Sequence, residues 1–161
     1  MKIISIKNCI SLFIASLFLL QGCGYEKLYI SDKKIYQIKK IEISGDQKIS
    51  NIVKNEILLF SGPSAEKIIN LKIDVQSAKS VKEKLVSGKI SKYNIAVSAD
   101  LNLRDINFKT LQTQQFHESA TLEVSKIHSD TLIDQRKMIK SLSEKVAESI
   151  TDYLNLYFKN K

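Results

Sequence analysis

Two cysteines, two histidines and a cluster of lysines are the residues of this chain with chemistry to offer. Cys23 closes an apolar run from Cys9 to Leu20, broken only by Ser11 and Ser16, and it directly follows the small residue Gly22. A thiolate is the reactive form of cysteine, so a cysteine beside a small residue suits transfer of a diacylglyceryl group to the sulfur, followed by cleavage on its N-terminal side. His117 and His128 have no further soft ligand nearby, which leaves a zinc-type site short of its ligand set. No pair of carboxylates stands out as general acid and base. No serine sits in a nucleophile elbow, and no glycine-rich phosphate loop is present. The reading is therefore of a non-enzyme with no catalytic residue, no metal and no cofactor.

The lysines form the second candidate. From Lys79 to Lys92 the chain carries Lys79, Lys82, Lys84, Lys89 and Lys92 against the single acid Glu83, a local charge of +4. Lys82, Lys84, Lys89 and Lys92 are candidate contacts to lipid phosphates, as compact point charges on long stems. The segment reads as a loop or an extension of two strand ends, and the competing reading is a solvated hairpin without a ligand. Several phosphate contacts would make binding sensitive to salt.

The first 22 residues read as a secretory leader. Lys2 and Lys7 supply positive charge, no acid precedes Glu26, and the apolar run is 12 residues long. A bilayer span needs about 20. Leu20-Gln21-Gly22-Cys23 resembles a bacterial lipobox, with Gln21 the less usual choice at its position. The expectation is that residues 1–22 are removed and that Cys23 is lipidated. One acyl chain binds a membrane only marginally; more than one anchors stably. Gly24 stands where an aspartate would resemble an inner-membrane retention signal, so the expected place is the periplasmic side of the outer membrane. Cys9 leaves with the leader and Cys23 is acylated, so the mature chain has no disulfide and depends on packing. Its charge falls from +8 to +6 when Lys2 and Lys7 leave. The compartment argues against nucleic acid as the acidic partner and for phosphorylated lipids. A merely soluble, lysine-rich surface is the plainer alternative.

These groups need elements to position them. Residues 23–34 read as the lipidated start and tether, and residues 35–161 as one α+β domain with a modest core. Ile35 to Ser44 reads as a strand with Ile41 and Ile43 alternating. Asp46 is a candidate N-cap for a helix to Phe60 with a stripe of Ile49, Val53, Ile57 and Phe60, stopped by Gly62-Pro63. A second strand, about 67–77, sets Ile69, Leu71, Ile73 and Val75 against Asn70, Lys72, Asp74 and Gln76. A third, about 91–104, points Ile95, Val97, Ala99, Leu101 and Leu103 inward. A fourth, about 111–124, carries Phe116, Ala120, Leu122 and Val124, with Leu111 out of phase as if bulged. A long helix over about 130–157 follows, with Thr131 and Asp134 as a capping pair and Ile139, Leu142, Val146, Ile150, Tyr153 and Tyr157 as its stripe. Each strand has one apolar face. Two helices on one face of a four-stranded, mostly antiparallel sheet make a two-layer sandwich that covers every apolar stripe.

Cys23-Gly24-Tyr25-Glu26-Lys27-Leu28-Tyr29 resembles the opening of the lipopolysaccharide-assembly lipoproteins, the LptE family, with Lys27 where proline is usual. The element order, an asparagine-bearing first helix and the chain length are similar too. The stretch Leu122-Glu123-Val124-Ser125 departs from the more polar, tyrosine-bearing end of the family's last strand. The resemblance implies a lipoprotein that plugs and helps assemble an LptD-type outer-membrane β-barrel and binds lipopolysaccharide for delivery to the outer leaflet. Two other readings stay open: an auxiliary lipoprotein of an envelope lipid or solute ABC transporter, and a purely structural envelope lipoprotein.

Overall fold

The computed structural model describes residues 35–62, 65 and 67–160. The expected leader, the expected lipidation site Cys23, the tether and Pro63 lie outside these residues. In chain order the elements are β1 (Tyr36–Gly45), α1 (Gln47–Leu59), β2 (Lys67–Lys84), β3 (Ile90–Arg104), β4 (Thr110–Glu123) and α2 (His128–Lys159). The sheet order is β1-β2-β3-β4. β1 runs parallel to β2, joined to it through α1, and the other two pairings are antiparallel. The α+β sandwich is thus the observed architecture.

The sequence periods account for the layers. Leu71, Ile73 and Val75 of β2 pair with Leu103, Leu101 and Ala99 of β3, and all of these, with Ile69, are buried. Residues directly opposite in an antiparallel pair share a face, so one face of the sheet is a continuous aliphatic surface. α1 lays Ile49, Val53 and Ile57 on it, and α2 lays Leu142, Val146, Ala147, Ile150, Leu154 and Phe158. Among the described residues, the buried core cluster runs from Tyr36 to Phe158. Two buried hydroxyls on α2 are satisfied within the helix: Ser143 Oγ donates to Ile139 O at 2.7 Å and Thr151 Oγ1 to Ala147 O at 2.9 Å.

Bulges reconcile the strand periods. Ile38 and Ile41 differ in parity, yet they pair with Ile69 and Leu71 because the β1 register shifts at Lys39. Leu111 is bulged as its phase suggests: Leu103 faces Gln112 while Arg104 faces Thr110. Asp46 caps α1, its Oδ1 accepting from Lys48 N at 3.1 Å.

Several expectations need correction. Phe60 is the C-cap of α1 and is exposed, so the stripe ends at Ile57 and the helix stops before Gly62. Of the two readings of the basic segment, a loop or an extension of two strand ends, the extension is observed: β2 runs on to Lys84 and β3 begins at Ile90. Val124 lies past the end of β4 and is exposed. α2 starts at His128 and reaches Lys159; its N-cap is Ile127, without a side-chain cap. Thr131 turns outward from the helix instead, and its Oγ1 accepts from Ser125 N at 2.9 Å. Asn70 belongs by parity to the open face but is only 2% exposed. Its Nδ2 donates to Asp105 O at 2.8 Å, tying β2 to the β3–β4 turn.

Candidate lipid-phosphate site

The basic segment forms the outer part of the β2–β3 hairpin. Its turn is dictated by the backbone. Leu85 N donates to Lys89 O at 2.8 Å and Gly88 N donates to Leu85 O at 2.9 Å. That geometry requires a left-handed residue at the last loop position, and Gly88 supplies it with φ of 80°. Two register shifts interrupt the ladder below the turn. Val81 faces Tyr93 and Glu83 faces Lys92, so Lys82 is bulged; Lys84 then faces Ile90 across the skipped Ser91.

The hairpin therefore brings Lys82, Lys84, Lys89 and Lys92 together but does not leave them equivalent. Lys92 Nζ and Glu83 Oε2 form an ion pair at 2.7 Å. The hydrogen bond and charge of Glu83 raise the Lys92 ammonium above its ordinary value, and Lys92 holds the Glu83 carboxyl below its own. Both side chains face water, so the pair does little for stability. Lys82 Nζ donates to Thr121 Oγ1 on β4. Lys79 sits on the helix-covered face, 3.9 Å from the Tyr93 ring centroid, and donates to Gln135 Oε1 at 2.7 Å. The side chains of Lys84 and Lys89 have no ion-pair or hydrogen-bond partner among the described residues, which makes them the two cations at the hairpin's end whose charge is uncommitted.

Sequence spacing placed the four lysines on one segment, but not this division. An acid flanked by two lysines near a turn leaves open which partner it takes until the bulges set the register. The histidines lie on different elements: His117 faces Ser98 within the sheet, and His128 opens α2.

No family model matches the chain, and no curated protein matches it in sequence. Solved structures do match in shape. Rare lipoprotein B from Shewanella oneidensis is similar with a TM-score of 0.60 and 11% identity, over 75% of this chain and 97% of that one. Lipoprotein B from Nitrosomonas europaea gives 0.55 at 13% identity, over 74% and 84% of the two chains. A minor lipoprotein from Acinetobacter baumannii gives 0.52 at 9% identity, over 73% and 91%. At such identities the likeness is one of fold: the strand-helix-strand-strand-strand-helix sandwich is shared with these lipoproteins.

Proposed function

We propose that this protein is an LptE-like envelope lipoprotein. It is anchored through Cys23 on the periplasmic side of the outer membrane, plugs and helps assemble an LptD-type barrel, and binds lipopolysaccharide on its way to the outer leaflet. One coincidence carries the reading. An N-terminus built as Leu20-Gln21-Gly22-Cys23-Gly24-Tyr25 precedes a domain that shares its fold with lipoprotein B of two organisms. Leader and fold are independent features of the chain, and both point to the same class.

Within this reading the hairpin supplies the cations for phosphorylated glucosamine. Lys84 and Lys89 are the principal contacts, Lys82 joins by leaving Thr121, and Lys92 brings Glu83 with it and contributes least. The test is lipopolysaccharide binding to the protein with Lys84 and Lys89 both changed to serine. A drop of about tenfold that shrinks as salt is raised fits two phosphate contacts. Undiminished binding rejects the hairpin as the site.

A further inference from the structure

The two hairpin turns of the sheet have the same hydrogen bonding but not the same residue at the left-handed position. In the β3–β4 turn Asp105 N donates to Lys109 O at 2.9 Å and Phe108 N donates to Asp105 O at 3.1 Å, matching the bonds of the β2–β3 turn. Asp105 Oδ1 further accepts from Asn107 N at 2.9 Å and Lys109 N at 2.8 Å, which fixes the turn. Where the first turn has Gly88, this one has Phe108 at φ of 61°. A bulky residue in that region is strained, and strain of this kind marks places kept for another purpose.

What the strain presents is an aromatic ring that the core does not use. Phe108 is 51% exposed and Ile106, in the same turn, 46%. Ile68 is exposed at the adjoining start of β2. The ring leans toward β1, with Lys40 Nζ 5.6 Å from its centroid. Lys39, bulged out of β1, and Lys109 have no ion-pair partner among the described residues. Lys159 ends α2 at this end of the sheet, next to Phe158, which stacks on Tyr36.

This is also the end at which the chain enters the domain, since Tyr36 pairs with Lys67 at the start of β2.

We propose that the β3–β4 turn docks on the surface of an anionic bilayer, Ile106 and Phe108 entering the headgroup boundary while Lys39 and Lys109 meet lipid phosphates. An exposed aromatic beside cations fits that interface.

The experiment uses residues 33–161, which hold the whole described core, without any lipid anchor. Co-sedimentation is measured with vesicles of phosphatidylcholine mixed with phosphatidylglycerol, with pure phosphatidylcholine vesicles, and with inorganic phosphate as competitor. Binding to the mixed vesicles that falls with salt, is weak on pure phosphatidylcholine and is not abolished by inorganic phosphate is the expected result. Phe108→Gly keeps the turn, because glycine is native to that φ, and with Ile106→Ser it lowers partition by about tenfold. Val86→Ser, at the apex of the other turn, leaves it unchanged. Absent binding, equal binding to neutral vesicles, loss with Val86→Ser rather than Phe108→Gly, or self-association in place of vesicle binding each overturns the proposal. Acyl labelling of Cys23 is read separately, so failure here and failure of the anchor are distinct results.

Discussion

Tyr36 places a phenol where the core gives it no partner. It is 1% exposed, stacks on Phe158 at 5.7 Å, and its hydroxyl has no hydrogen bond among the described residues. Burial, with Asp152 adding, pushes its ionisation above the ordinary tyrosine value. The neutral form is therefore the one the fold tolerates. Its contribution is whole below about pH 10, where the unfolded phenol begins to ionise, and is lost as pH rises above that. Tyr36→Phe is expected to stabilise by about 1 kcal/mol at neutral pH, by deleting an unpaired polar atom, and to flatten the alkaline limb of a denaturation-versus-pH curve. Acid behaves oppositely. Lys40 holds Glu42, Ser44 and Gln76 hold Asp74, and Lys92 holds Glu83, each below the ordinary carboxylate value. Those contributions are whole above that value and vanish as pH falls through it. Because all three groups face solvent, urea midpoints should show only a shallow decline below about pH 4. Asn70 shows where residue-level reading stops. Parity put it outside, and only the Asp105 carbonyl of a turn thirty-five residues away explains why it is buried.

At the scale of elements, alternation did most of the work. The apolar sets of β2 and β3 and the stripe of α2 are legible because burial on one side leaves a period that survives in sequence. The ends of elements are not legible in this way. From Ser77 to Lys84 every residue of β2 is exposed, so no periodic burial marks the ladder that continues there. Phe60 and Val124 continue an apolar period past the point where any partner exists. Close approaches are equally silent. Gly45 has φ of 99°, and a Cβ there would sit 1.8 Å from Val75 O. Gly45→Ala must shift β1 against β2 and is expected to cost more than about 2 kcal/mol in denaturant melts. Phe108→Gly is the counterpart: relief of the left-handed strain should leave stability equal or raise it by about 1 kcal/mol, while its effect on vesicle binding goes the other way.

At the scale of the whole domain, residues 33–161, the sandwich has a hairpin turn at each end of its sheet and two helices on one face. Its core is one aliphatic layer, so a cavity at its centre should be felt throughout. Ile150 is fully buried, and Ile150→Ala is expected to cost about 2–5 kcal/mol in a single cooperative transition. The fold alone does not name a task, since one architecture serves many. What the chain adds is the motif Leu20-Gln21-Gly22-Cys23 and, at the sheet's far end from Tyr36, a hairpin with two lysines whose side chains have no partner among the described residues. Those cations were legible as a charge cluster; that Glu83 and Thr121 take two of their neighbours was not, because hairpin register depends on bulges. The central claim is an acylated plug working with a barrel. Purifying the tagged full-length protein from envelopes in mild detergent, and identifying by mass spectrometry what accompanies it, tests this most directly. The account predicts a chain beginning at lipid-modified Cys23 together with a large outer-membrane β-barrel protein. A chain that keeps residues 1–22, or an acylated chain that comes away with inner-membrane transporter subunits and no barrel, would contradict it.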